Sequence, residues 1–546
     1  PEFILLYANT LFELGKMHEA VEQYNLFLKQ RNIKSSYHDL AQKMKSRSET
    51  SISIMSKPVP FNPINMGEAI NSEYHEYLPS LSVDEQTMVI TRKIPKDLRF
   101  TKKKSDFHED FFISYKNDRG DWTKAINMGS AVNTIGNEGG QCISADGNTL
   151  VLTACNRADS YGTCDLYISY RNNDNTWTKA VNLGPLINTS HWESQPSLST
   201  DGSILYFASN RPGGYGNSDI WYSEKDESGK WGLPKNMGAV INTEEAEISP
   251  FIHSDGNTFY FASKGHPGVG GYDIFYSRKG SDNKWQKPVN LGYPINTVKD
   301  EISLIVNAQG QIAYFASERE DGYGKQDIYQ FELHIAARPN SVTYFRGNVF
   351  DKYTKQPLKG SVQLIDLKNG NTVFLGPSQN NGNFLVCLSA GNEYALNVFH
   401  DNYIFYSENI VMPFQHDNKP YKKDIPLSPI ATGESFVLRN IFFDSDSYEL
   451  KAESKYELNK LIDILQRFPA MKIQIIGHTD IQGSFDYNMA LSTNRAKSVM
   501  EFLIEQRINA NRMLYDGKGL ANPIADNTTA EGRALNRRTE ILIIEM

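Results

Sequence analysis

Residues 60 to 333 repeat themselves with a period of 54 or 55 residues, and this narrows the fold further than any other feature of the chain. Trp122, Trp177, Trp231 and Trp285 recur at that step, as do Asn133-Thr134, Asn188-Thr189, Asn242-Thr243 and Asn296-Thr297. The turns Asp146-Gly147, Asp201-Gly202, Asp255-Gly256 and Gln309-Gly310 keep it too. Each period holds a strand, the turn, an aromatic strand such as Leu205-Tyr206-Phe207-Ala208-Ser209, a Gly-rich loop, a third strand such as Asp219-Ile220-Trp221-Tyr222-Ser223, and a fourth around the Trp. Four short antiparallel strands per period is the pattern of a propeller blade. The Asp that opens the third strand recurs as Asp110, Asp165, Asp219, Asp273 and Asp327, so five blades are expected.

The first blade opens at Pro79-Ser80-Leu81-Ser82, turns at Val83-Asp84-Glu85 and carries a basic insertion from Lys93 to Lys104. The fifth lacks its fourth strand, because the pattern stops after Phe331. An orphan strand, Pro60-Phe61-Asn62-Pro63-Ile64-Asn65-Met66-Gly67, matches Trp285 to Gly292 and precedes the first blade. It is expected to complete the last blade and so remove an open sheet edge that would invite aggregation. The repeated Asp reads as a strand-start hydrogen-bonder. A catalytic propeller breaks its symmetry at one blade with unlike acids and bases, and no such departure occurs here. The repeats, assigned to residues 58–335, resemble the WD40-like β-propeller repeats called PD40. Their Tyr and Trp content suits protein binding on a face.

Near the C-terminus Ile476-Gly477-His478-Thr479-Asp480 ends an alternating strand that starts at Met471. Gly483-Ser484 turns the chain into a helix from Asn488 to Gln506, with Ala496, Val499 and Leu503 at helical spacing. Arg495, two turns in, is expected to face Asp480 across a cleft. Such an acid and base can hold a zwitterion, the acid taking an ammonium group and the planar guanidinium a carboxylate. The competing reading is an Asp that caps a turn and an Arg in a surface ion pair.

Residues 434–546 resemble the OmpA-like C-terminal domain. The likeness rests on the leader Asn440-Ile441-Phe442-Phe443-Asp444-Ser445-Asp446, the Gly-His-Thr-Asp strand end, Asn488 with Leu491-Ser492 and Arg495-Ala496, and Asn527-Thr528 followed by Glu531 to Arg538. The resemblance implies a peptidoglycan-binding module in which Asp480 and Arg495 clamp the diaminopimelate of the stem peptide. It also implies supporting roles for Asp444, Asn488 and Arg537. Leu458, Leu461, Ile462 and Leu465 give the module's first helix its apolar stripe, and Glu540 to Ile544 is its last strand. His478, a single His without other ligands at metal spacing, reads as a structural hydrogen-bonder, and neither metal nor cofactor is expected.

The remaining segments are shorter. Residues 1–49 place Ala8, Gly15, Ala20, Tyr24 and Phe27 where a helical hairpin packs small against large residues, and a second helix is expected from Tyr37 to Arg47. This resembles a tetratricopeptide repeat. One repeat does not bury its own face, so either further repeats precede it or the hairpin packs on a neighbour. Residues 341–428 contain short alternating strands at Phe345-Val349, Lys355-Gly360, Val362-Asp366, Gly382-Phe384 and Tyr394-Val398, a small β-sandwich. It resembles the carboxypeptidase-regulatory-like domain, a non-catalytic spacer.

With 56 Lys and Arg against 64 Asp and Glu, the net charge is −8 and no basic run suggests nucleic acid. No apolar run approaches the roughly 18 residues of a membrane span. The chain starts inside a helical pattern, compatible with a signal peptide or a lipid-carrying Cys upstream. Of four Cys, Cys142 and Cys387 read as buried thiols. Cys155 and Cys164 flank a loop where two strands meet, and they form either a bridge in an oxidising compartment or two free thiols.

The fold class is therefore multidomain: helices, a five-bladed propeller, a β-sandwich and an α/β anchor. This order resembles periplasmic components associated with the type IX secretion system of Bacteroidota, which accompany outer-membrane barrels of the PorP/SprF type. It implies a non-enzymatic envelope protein that binds peptidoglycan and docks an outer-membrane barrel and other secretion components. The alternatives are a general envelope anchor without a secretion role, and an envelope-glycan enzyme with its active site in the propeller.

Overall fold

The computed structural model describes residues 2–31, 33–96, 107–172, 174–226, 228–379, 381–413, 421–444, 446–452 and 454–546. Residues 97–104 of the basic insertion and Ser445 of the leader lie outside the described residues. Contacts divide the chain into two compact units, chiefly residues up to Tyr344 and residues from Phe345 onward. No helix among the described residues is long and apolar enough to cross a membrane.

The first unit begins with three helices, α1 (Glu2–Glu13), α2 (Met17–Leu28) and α3 (Ser35–Met55). Ala8 and Ala20 are fully buried beside Leu11, Phe12, Tyr24 and Phe27, small residues letting the helices approach around large ones. Helix α3 runs eight residues past the Arg47 expected from the apolar pattern. Ile52 and Met55 of the extension pack against the helical core, and hydrogen bonds add to this: Arg47 donates to the Gly270 carbonyl at 2.5 Å and Ser51 to that of Val269 at 3.2 Å. Val298 joins the helical core from the same side. The hairpin thus packs on a neighbouring loop, and the α3 apolar stripe of Ala41, Met44, Ile52 and Met55 is interrupted by the buried Ser48 and Ser51, which weakens the period in the sequence.

Residues 64–332 form five four-stranded antiparallel sheets. Sheet I joins 75–81, 87–95, 107–115 and 126–127; sheet II joins 141–143, 149–155, 164–170 and 181–182. Sheet III joins 193–198, 204–209, 219–224 and 235–236; sheet IV joins 247–252, 258–263, 273–278 and 289–290. Sheet V takes 305–306, 312–317 and 327–332, and its fourth strand is Ile64–Asn65, antiparallel to Tyr329–Gln330. Each sheet packs on the next. Val89 and Phe111 of I meet Leu152 and Tyr167 of II, and Val151 and Leu166 meet Phe207 and Trp221 of III. Tyr206 and Ile220 meet Phe259 and Phe275 of IV, and Tyr260 and Ile274 meet Phe315 and Tyr329 of V. Tyr314 and Ile328 of V then pack with Met88 and Ile90 of I. Each such aromatic or aliphatic side chain taken fully from water contributes about 1.5–3 kcal/mol. None of the five sheets closes on itself.

The repeated polar residues form one device used five times. Asn127, Asn182, Asn236, Asn290 and Asn65 on the short fourth strands donate to Asp110, Asp165, Asp219, Asp273 and Asp327 on the third. Asp165, Asp219 and Asp327 also accept two backbone N–H groups from the Gly-rich loop, as Asp219 does from Tyr215 at 2.6 Å and Gly216 at 3.0 Å. A second Asn, at 71, 133, 188, 242 and 296, bonds the first Asn and the third-strand backbone. Cys155 and Cys164, directly opposite in sheet II, are joined by a disulfide.

In the second unit a four-stranded antiparallel sheet has the order 372–377, 361–366, 393–399, 406–411, while Phe345–Asp351 runs parallel to Tyr421–Leu427. Residues 355–360, expected as a strand, do not form one: Pro357, without an N–H to donate, makes only an isolated bridge to Phe350. The strands at 372–377, 406–411 and 421–427 were not among those expected. The first has mostly exposed side chains and the last alternates weakly, so neither shows a clear buried face. The C-terminal domain has strands β1 (Ser435–Leu438), β2 (Lys472–Gly477), β3 (Met513–Gly517) and β4 (Thr539–Glu545), ordered β1–β4–β2–β3. Helices α4 (Ser454–Arg467) and α5 (Phe485–Glu505) cover the sheet, and a short α6 (Ala530–Asn536) precedes β4. Leu458, Leu461, Leu465, Ile473, Ile475, Ala496, Val499 and Ile541 make its core, which Ile404 and Phe405, just before the strand 406–411, enter.

Candidate functional site

Strand β2 alternates half-buried Lys472, Gln474 and Ile476 with buried Ile473, Ile475 and Gly477, and it leads directly into His478-Thr479-Asp480. Two glycines allow α5 to lie close over this end. A Cβ on Gly477 would stand 2.1 Å from the Ser492 carbonyl oxygen, and one on Gly517 of β3 2.2 Å from Thr493 Oγ1. After Asp480 the chain reverses at Gly483, whose φ of 98° suits a residue without a side chain. Ser484 then caps α5, its side chain accepting from the Tyr487 amide. Asn488 Nδ2 donates to the Gln482 carbonyl at 2.8 Å, pinning the turn.

Asp480 is 6% exposed. One carboxylate oxygen accepts the Gln482 amide at 3.0 Å, and the other accepts Arg537 Nη1 at 2.7 Å. Arg537 follows α6, and its side chain is half exposed. Arg495 faces the same cleft but is tied elsewhere. Its Nε donates to the Ser447 carbonyl at 3.0 Å, its Nη2 to the Asp444 carbonyl at 3.3 Å, and the guanidinium lies 4.9 Å from the centre of the Phe443 ring. Burial and the neighbouring Arg537 hold its pKa below the ordinary arginine value. An arginine remains charged at neutral pH even so. Arg495 and Asp480 thus flank one cleft as expected, but they do not pair: Arg537 occupies the acid, and Arg495 is braced by the leader. Asp444 acts there through its carbonyl, while its carboxylate turns to Lys451 at 2.6 Å.

All five expected site residues come together. Asp444, Asp480, Asn488, Arg495 and Arg537 line one cleft of about 1100 Å³. His478 is buried behind it, its Nε2 3.3 Å from Glu540. The carboxylate of Glu540 is held below its usual range, first by His478 and also by Arg538. Sequence reasoning missed Tyr487, whose hydroxyl donates to Asp446 at 2.8 Å, and Glu408 and Val411 of the strand 406–411 on the far wall. Tyr487 sits beside Asn488 and Asp446 ends the leader, so both lay within the motif. Glu408 and Val411 carry no such signal. Among the described residues no three His, Cys, Asp or Glu side chains are grouped to hold a metal.

The family model that matches is described as the OmpA family and covers residues 442–537. The probable lipoprotein YiaD of Escherichia coli is 42% identical over 120 residues, 21% of this chain and 55% of that protein. The peptidoglycan-binding protein ArfA of Mycobacterium bovis is 39% identical over 103 residues, 19% of this chain and 32% of that protein. The crystal structure of the peptidoglycan-associated lipoprotein from Burkholderia pseudomallei aligns at 27% identity with a TM-score of 0.18, over 19% of this chain and 88% of that one. The chain spans about half the length of the first curated relative it matches, and less of the second.

Proposed function

We propose that this chain, whose C-terminal domain is an OmpA-family domain, is a non-enzymatic cell-envelope anchor that binds peptidoglycan. The observation that carries the reading is the convergence of Asp480, Arg495, Asn488 and Arg537 on one open cleft. Asp480 takes the ammonium of a diaminopimelate side chain, displacing the half-exposed Arg537. Arg495, fixed by the carbonyls of Ser447 and Asp444, presents its remaining face to the carboxylate. Nothing in this binding calls for a cofactor. The name of ArfA, a relative through this domain, points the same way.

The five sheets are a five-bladed propeller, a reading supported by the 54- to 55-residue period, by packing of sheet V on sheet I, and by the pairing of residues 64–65 with 329–330. With the tetratricopeptide-like helices it forms the part that docks a protein. The repeated Asp residues serve the sheets: each accepts from a fourth-strand Asn, and Asp165, Asp219 and Asp327 also accept two loop amides, a structural use that supports the non-enzymatic reading. The domain order resembles that of PorE, which supports a role in the periplasm against the outer membrane, beside a PorP/SprF-type barrel and other type IX secretion components. An upstream lipid is compatible with that location.

A pull-down on purified sacculi, followed by identification of co-purified membrane proteins, tests both parts. Retention on diaminopimelate-type sacculi with weaker retention on lysine-type sacculi is the expected result, since lysine lacks the distal carboxylate. Equal retention of wild type, Asp480→Ala and Arg495→Ala overturns the anchor reading. Recovery of sacculus with no barrel removes the secretion role and leaves a general anchor.

A further inference from the structure

The cleft that holds Asp480 is larger than an amino-acid terminus fills, and its far wall belongs to another domain. Glu408, Asn409 and Val411 of the strand Tyr406–Val411, with Tyr421, line the same space as Asp480 and Arg495. This wall is fixed in place. Ile404 and Phe405, just before the strand, are buried in the core of the C-terminal domain, Ser407 donates to Glu457 at 2.5 Å, and Asn440 donates to Ser407 at 2.7 Å.

Arg439, the residue after β1, stands in the cleft where the two domains meet, with 35% of its side chain exposed. Its one ion pair among the described residues is loose, 3.8 Å from Glu408. Glu408 is already held at 2.8 Å by Lys423 and by the Tyr406 hydroxyl. Glu408 therefore orients Arg439 without consuming it, and among the described residues the guanidinium donates no hydrogen bond. A guanidinium in that state fits a carboxylate through two parallel N–H bonds. The expected ligand has one to offer: where D-glutamate is linked through its γ-carboxyl in a stem peptide, its α-carboxylate stays free.

We propose that Arg439, positioned by Glu408 of the sandwich, binds a second carboxylate of the stem peptide. The cleft then reads a diaminopimelate-containing peptide, not the diaminopimelate terminus alone, and the sandwich is part of the binding site as well as a spacer. The inference rests on the anchor reading above.

Calorimetric titration of the whole 546-residue chain with free meso-diaminopimelate and with L-Ala-γ-D-Glu-meso-diaminopimelate tests it. Wild type should bind the tripeptide about tenfold more tightly than the free amino acid, the scale of one charge-assisted contact in a wet cleft. Arg439→Gln should abolish that gain and leave binding of free diaminopimelate unchanged, and Arg439→Lys should keep part of it. A tripeptide that gains nothing over diaminopimelate, or an Arg439→Gln variant that weakens both ligands equally, overturns the inference and leaves the anchor standing. If wild type binds neither ligand, the anchor reading falls and takes this inference with it.

Discussion

Asp219 in sheet III and Asp480 after β2 both stand at a strand end, both are nearly sealed from solvent, and both accept a backbone amide from a nearby turn. They differ in what holds the rest of the carboxylate. Asp219 takes two loop amides and the Asn236 side chain, all locked into the sheet. Asp480 takes one amide, and its other oxygen is held by Arg537, a half-exposed side chain from another element. A carboxylate whose partners are all structural is a strut. One whose last partner can swing away into water is able to exchange it for a ligand. Repetition points the same way, since the full strut recurs at Asp165 and Asp327 and its Asn contact in every sheet, whereas the acid held by a half-exposed arginine belongs to the C-terminal domain alone.

The sharpest way to break this contrast is to remove both acids in turn. Asp219→Ala leaves two loop amides and an amide side chain without their acceptor, and each unsatisfied buried group costs about 1–3 kcal/mol. A total loss of about 3–5 kcal/mol is expected in denaturant unfolding of the first unit, with sacculus binding intact. Asp480→Ala should do the reverse. A ligand charge left unpaired typically costs about 2–5 kcal/mol, and a wet cleft places this near the lower end, about 30-fold in affinity. Its melting temperature should stay near wild type. Arg495→Ala separates the roles less cleanly, because Arg495 also ties the leader through Ser447 and Asp444; it should lower both binding and stability.

Smaller effects sharpen the strut side. Reducing the Cys155–Cys164 bridge, which spans a sequence separation of 9, should cost the first unit about 2 kcal/mol and leave binding untouched. A gentler probe is pH. Glu138 and Glu193 are buried against Arg157 and Arg211, but no arginine pairs with the equivalent Glu301 among the described residues. Burial pushes Glu301 up to about 8 and Asp273 up to about 7. A carboxyl raised on folding gives its stabilisation in full below its unfolded value, and loses it as pH rises through the folded value. The first unit should therefore weaken progressively from about pH 5 to about pH 8, and Glu301→Gln should flatten that slope. An unchanged slope in the variant would assign the titration to another group.

Much of this was legible in the chain because it repeats. The 54- to 55-residue step located each sheet, and the match of residues 60–67 to a fourth strand anticipated the pairing of Ile64–Asn65 with Tyr329–Gln330. The same comparison would have extended to Asn71-Ser72 and Glu76, which bond as Asn133-Thr134 and Glu138 do, had Ser been read as equivalent to Thr. The length of α3 was hidden because Arg47 docks by a hydrogen bond and the buried Ser48 and Ser51 interrupt the apolar stripe that Ile52 and Met55 continue. In the anchor, the motif brought the right residues to one cleft but did not say which arginine meets Asp480. Helical spacing places Arg495 on a face; only the return of the chain after α6 decides that Arg537 arrives there first.

The pairing of Ile64–Asn65 with Tyr329–Gln330 also sets a timetable for the molecule. The partners lie more than 260 residues apart, so a chain emerging N-terminus first carries that strand without its partner until nearly the whole repeat region has followed. Sheets I to IV assemble from neighbours and gain structure early, whereas sheet V waits on the most distant contact. Until then an unpaired edge is open to the wrong strand, and the last step of assembly is the one at which a holding chaperone would matter most.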